Sequence, residues 1–363
     1  MDCKKLIYHP TRQEAITPIG SRLIKWDLTD APRIIDTFPL SFDAGKIPAA
    51  ALIEGRDAIA IAPENTSEDT SGNQALELRR WEDGELICAI PLDHQAYDED
   101  LSIDDEFCGH ERCCAISALA ASRDGRYLAA LEPWGDLHLI DLTSDLQAPR
   151  IMRWRRRWPD YADAIAFDPQ FQFLIWNWVD QDERFEFFRI DDAAADRLAY
   201  LGHFDGGARC HRGALAFSPF TDALVHTDYF SQSRITYRRF DRANLLARNS
   251  LLEVDSHELW NTPPATVCWH RELPLIQHPH DGLNPWQTSV AFIDKQKLLW
   301  AAGEALVLLH AEDGAIAADY HAKTVIREVA FDRDRRRIIA ATIDGVIAVS
   351  LSQFDPKTTK GAR

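Results

Sequence analysis

One arrangement of apolar and polar positions recurs along the chain. It reads Ala118-Leu-Ala-Ala-Ser, Ala164-Ile-Ala-Phe-Asp, Ala214-Leu-Ala-Phe-Ser, Ser289-Val-Ala-Phe-Ile and Glu328-Val-Ala-Phe-Asp. A polar turn and a second apolar run follow each: Tyr127 to Leu131, Phe173 to Trp176, Ala223 to Val225, Leu298 to Ala301 and Ile338 to Ala341. Runs this short, rich in small and β-branched residues, predict buried strands, because a helix needs longer segments of 3.6-residue period. A third strand with alternating apolar positions comes next, at Leu137 to Leu142, Phe185 to Asp191 and Ile235 to Asp241. Gly135-Asp136 and Asp344-Gly345 between second and third strands suit tight hairpins, so each unit reads as an antiparallel meander.

Two fainter units precede these, one from Lys5 to Leu28 and one from Ala49 to Ile90. The register marks Ile7, Ala51, Ala120, Ala166, Ala216, Ala291 and Ala330 lie 44, 69, 46, 50, 75 and 39 residues apart. A four-stranded propeller blade repeats every 40 to 45 residues or so, and the two long gaps correspond to a blade plus an inserted loop. The expected fold is therefore all-β: a β-propeller of seven four-stranded antiparallel blades, with eight as the alternative if the 75-residue gap hides a degenerate unit. The last unit has no fourth strand of its own, and the N-terminal segment is the available source of one.

Trp26-Asp27, softened to Ile140-Asp141, Ile190-Asp191 and Phe240-Asp241, and the Gly-His pairs Gly109-His110 and Gly202-His203 resemble the signatures of WD-repeat propellers. Tyr320-His321 keeps the histidine alone. The resemblance extends over nearly the whole chain and implies a scaffold on which protein partners assemble. It also implies that His110 and His203 are structural, hydrogen-bonding within their blades.

With 363 residues, 46% apolar and 27% charged, there is material for one large core, and a single domain over 1–355 with a polar tail at 356–363 is expected. The formal charge of −17 opposes binding to nucleic-acid phosphates or anionic lipid and favours a basic protein partner. Seven scattered cysteines, including the adjacent Cys113 and Cys114, do not form a secreted disulfide framework, and no apolar run suits a signal peptide or membrane span. Cytoplasmic location is the expectation.

Patterns for nucleophile elbows, zincins and phosphate-binding loops are absent from the sequence. Two insertions, at 93–112 and 255–286, are expected between blades, where long loops on a rigid scaffold carry binding function. The first holds Asp98, Glu99, Asp100, Asp104, Asp105 and Glu106, read as a surface that steers a basic partner. The second holds Trp260, Trp269 and Trp286, read as aromatic anchors lying outside the strands.

The reading from another class is a propeller enzyme or a metal-binding protein. Cys108, His110 and Cys113, with Cys268, His270, His278 and His280, supply thiolate and imidazole ligands suited to zinc. Neither cluster has a paired second half, so the expectation is no cofactor, with zinc under the alternative. The alternation of Arg153, Arg155 and Arg157 against Met152, Trp154 and Trp158 fits an outer blade strand with one packed side, and a single-strand nucleic-acid grip less well.

Overall fold

The computed structural model describes residues 3–42, 49–62, 75–92, 116–132, 136–143, 145–146, 149–154, 162, 164–179, 182–190, 198–208, 214–229, 233–248, 263–273 and 288–356. Small and β-branched runs take the strand conformation and pair with their sequence neighbours, giving seven sheets in a ring. Blade one is β1 (Ile7–His9), β2 (Glu14–Ile19), β3 (Arg22–Asp27) and β4 (Arg33–Pro39); blade two is β5 (Ala50–Ile53), β6 (Ala58–Ile61), β7 (Ala75–Arg80) and β8 (Leu86–Pro91). Blade three is β9 (Ala118–Ala121), β10 (Tyr127–Leu131), β11 (Leu137–Asp141) and β12 (Arg150–Trp154). Blade four is β13 (Ile165–Phe167), β14 (Phe173–Val179), β15 (Asp182–Ile190) and β16 (Leu198–Ala208).

Blade five contains β17 (Leu215–Phe217), β18 (Ala223–Tyr229) and β19 (Ser233–Arg239), then the helix α1 (Arg242–Ala247) and β20 (Thr266–Leu273). Blade six is β21 (Thr288–Phe292), β22 (Lys297–Ala302), β23 (Ala305–His310) and β24 (Ile316–His321); blade seven is β25 (Ile326–Asp332), β26 (Arg337–Thr342) and β27 (Gly345–Ser350). The seven-bladed propeller expected from the repeat is the fold. The last strand, β28 (Asp355–Pro356), departs from that pattern by pairing with β24 of blade six. Phe354 is the physical cause: it buries itself in the core between blades six and seven, near Tyr320, and carries the chain past its own blade.

The second strands are the most deeply buried because they have sheet on both sides and a blade against each face. Tyr127–Leu131 and Ala58–Ile61 are buried at every position. Facing blades share apolar clusters; between blades three and four, for example, Leu131 and Leu139 meet Trp176, Phe188 and Tyr200. At about 25 cal/mol per Å² of apolar surface, these inter-blade clusters are the main source of stability.

Closure differs from the expectation. The N-terminal segment adds no strand to blade seven among the described residues; Cys3 donates its N–H to Thr342 and Leu6 its N–H to Glu328, which also pairs with Lys5. Ring closure comes from side chains instead: Cys3, Leu6, Ala15, Ile24, Trp26 and Leu28 pack on Ile339, Ala341 and Val346. Trp26 also donates Nε1–H to Thr17 Oγ1 at 2.9 Å, so the Trp of the Trp-Asp pair joins two strands of its own blade. Asp27 accepts the Thr29 N–H and Arg33 side-chain bonds, which draw its pKa down to about 2.

Candidate interaction surface

In a four-stranded meander, the turns joining first to second and third to fourth strands leave by one face of the ring. Second-to-third turns and the connections between blades leave by the other. Pro91 of β8 and Ala118 of β9 therefore end and begin their strands on the inter-blade face, and Leu273 of β20 and Thr288 of β21 do the same.

The expected insertion at 255–286 is thus not one segment. β20 lies inside it, and as an outer strand with exposed positions it carries little apolar alternation to announce itself. Trp269 stands in β20, contrary to the expectation that it lies outside the strands. It stacks on Tyr237 at 5.4 Å, donates Nε1–H to the Ala311 carbonyl at 2.9 Å and lies so close to Gly314 that a Cβ there would meet its ring at 2.6 Å. Such contacts make it part of the packing between blades five and six. Cys268 and His270 are exposed on the same strand.

Trp260, Trp286, His278, His280, Cys108, His110, Cys113 and the six acidic positions from Asp98 to Glu106 lie outside the described residues. Among the described residues no three His, Cys, Asp or Glu side chains are grouped to hold a metal, and no helix is long and apolar enough to cross a membrane. The Gly-His reading of Gly202-His203 is corrected: both residues lie within β16, not at the opening of a blade. Gly202 has φ 116° at a register shift opposite Phe187, and His203 Nδ1 lies 2.9 Å from the Tyr200 hydroxyl. Met152 and Trp154 of β12 pack toward blade four, as an outer strand requires.

The opposite face carries a polar network that the sequence did not announce. The motif-ending Asp168 is buried; its carboxylate accepts the backbone N–H groups of Gln170, Gln172 and Phe173 and a 2.7 Å ion pair from Arg242 of α1. Arg242 also bonds Asp222, so one guanidinium ties blades four and five together. Arg56 joins blades two and three by donating to the Gly125 carbonyl at 2.9 Å. Asp332 serves blade seven as Asp168 serves blade four: Arg337 pairs with it at 2.8 Å and donates to the Leu28 carbonyl of blade one. Burial, reinforced by the neighbouring Asp332 carboxylate, pushes the Tyr8 hydroxyl pKa up and keeps it protonated.

Between the first turns of blades one, two and three these staples leave an open cavity of about 460 Å³. His9, Thr11, Arg12, Glu54, Asp57 and Arg123 line it. Asp57, in left-handed conformation at φ 51°, accepts from Arg12 and lies 2.9 Å from His9 Nε2, while Glu54 pairs with Arg123 at 3.2 Å. Opposite charges within the cavity neutralise one another, which leaves hydrogen-bonding groups of both kinds at its rim. Gly55 is required here, since a Cβ would sit 2.4 Å from the Asp124 carbonyl oxygen of the next blade. Deeper in the ring His226 is buried beside Arg238; burial first, then the charges of Arg238 and Arg234, hold its pKa well below the usual 6.5 and keep it neutral.

Comparison with solved structures finds the β-propeller domain of Cps50 (Swd1) from Myceliophteria thermophila, with a TM-score of 0.64 over 95% of this chain and 96% of that one. The two are 10% identical, a likeness of fold. No family model matches the chain, and no curated protein matches it in sequence.

Proposed function

We propose that this chain is a non-catalytic interaction scaffold or regulatory subunit that binds a protein partner through the inter-blade face of the propeller. The observation that carries this reading is that the strand ends Pro91, Ala118, Leu273 and Thr288, which bracket two long connections in the sequence, stand on one face of a ring whose opposite face is tied by the Arg242, Arg337 and Arg56 staples. Loops on a rigid scaffold bind with little ordering cost, because the scaffold need not rearrange. The acidic run Asp98 to Glu106 gives the first connection a field that draws in a basic partner, in the cytoplasm and without a resident metal.

Crosslinking mass spectrometry on the full chain with its captured partner tests the location. Crosslinks gathered at 93–115 and 274–287 are expected; crosslinks confined to the turns around His9 and Asp57 would reject the inter-blade face. Stoichiometric zinc in the purified protein would favour the metal-binding alternative.

A further inference from the structure

We infer that blade seven is completed in trans, by an extended, apolar-and-basic segment of the partner protein that adds as a fourth strand along β27. The inference deepens the scaffold reading and rests on it. Its basis is an unfinished sheet beside an uncovered side chain.

Blade seven has three strands, and among the described residues none pairs with the outer edge of β27. The ladder fixes which main-chain groups face outward. Leu351 donates its N–H to the Arg336 carbonyl, continuing the β26–β27 register in which Val349 faces Ile338, Ile347 faces Ala340 and Gly345 faces Thr342. Since hydrogen-bonding direction alternates along an antiparallel strand, Val346, Ala348 and Ser350 turn their N–H and C=O groups outward. The Ser350 N–H is taken by Gln353 Oε1. Among the described residues the N–H and C=O groups of Val346 and Ala348 are left as a template for another extended backbone.

The adjoining wall supplies the side-chain requirement. Ile34 of β4 lies directly opposite Trp26 of β3 and so shares its face, the one turned toward blade seven. Trp26 is buried there against Ile339, Ala341 and Val346, whereas Ile34 is 47% exposed. A fourth strand on β27 would place the residue opposite Ala348 on this same inner face, toward Ile34. One apolar side chain at that position is therefore required, while its neighbours in sequence would lie on the face of Ile347 and Val349.

The occupant follows from charge and composition. A second copy brings another −17, which opposes close approach. The seven residues after Pro356, Lys-Thr-Thr-Lys-Gly-Ala-Arg, contain no large apolar side chain to set against Ile34, and they begin from blade six. A segment of another protein that carries one such apolar residue and basic residues to answer this chain's acidic charge meets both requirements.

The probe is a set of synthetic peptides of about nine residues, long enough for one strand, in which Val or Ile alternates with Lys, Arg or Thr. Scrambled and Glu-for-Lys versions serve as controls. The full chain is expected to bind the alternating basic set, with slowed hydrogen exchange at the Val346 and Ala348 amides. Ile34→Asp removes the apolar contact, and Ala348→Pro removes an outward N–H that the β26 ladder does not use. Each is expected to weaken binding by about tenfold or more. Ile34 being a surface side chain, its variant should melt as the parent does and carries the test if the proline variant does not fold.

Equal binding of scrambled peptides, unaltered affinity in the Ile34→Asp variant, absence of peptide binding, or doubled mass of the free chain in ultracentrifugation would each overturn strand addition. A chain that captures its partner through the inter-blade connections yet ignores every peptide rejects this inference and leaves the scaffold reading standing.

Discussion

Replacing Trp26 by alanine is expected to lower stability by about 3–5 kcal/mol, the range for deleting a large buried aromatic. Its indole is the largest side chain in the cluster that joins blade one to blade seven, where among the described residues no shared strand takes over the task of closure. The void opens between the first and last blades, so early loss of both is expected as the chain is heated. Trp26→Phe keeps most of the packing and loses the Nε1–H bond to Thr17, for an expected cost of about 1–2 kcal/mol. Thermal melting of the two variants checks both numbers. If Trp26→Ala costs less than about 1 kcal/mol, side-chain packing is not what closes the ring.

Arg242→Ala is expected to cost about 3 kcal/mol, because it leaves the buried Asp168 carboxylate without its cation. The figure stays at the lower end because three backbone N–H groups still solvate that carboxylate. Asp168→Asn alone weakens both the turn and the ion pair, so the two changes share one interaction and their costs should not add. A double-mutant cycle read by melting measures this. Additive costs would mean that Arg242 acts through its contacts with Phe173 and Phe240 and not through Asp168.

The inner strands were legible in the sequence because burial on both faces demands unbroken apolar runs. Tyr127 to Leu131 coincides with β10, and the Ala-x-Ala-Phe motifs fall on or beside first strands. Apart from β12, with its alternation of Met152 and Trp154 against arginines, the outer strands were less legible. β4 is exposed at every position but Phe38, and β28 spans two residues; neither carries a periodic signal. Gly202-His203 matched a family dipeptide but lies within an 11-residue strand, since two residues cannot tell a loop from a bulge.

The long-range staples were hidden for a different reason. Arg242 and Asp168 are 74 positions apart, and Arg12 and Asp57 are 45 apart. No local spacing couples such pairs; the ring alone brings them together. Of the aromatic anchors expected in the second insertion, Trp269 stands in a strand and packs, partly buried, against the neighbouring blade, a contact that the irregularity of its flanks concealed.

The central claim is that a basic protein partner is drawn to the acidic inter-blade connection of a rigid propeller. The most direct measurement is the association rate of the captured partner at rising ionic strength, with the full chain and with a variant neutralised at Asp98, Glu99, Asp100, Asp104, Asp105 and Glu106. The parent rate should fall steeply as the Debye length shrinks toward about 8 Å, and the variant should start slow and change little. Identical, salt-independent rates for the two proteins would contradict it.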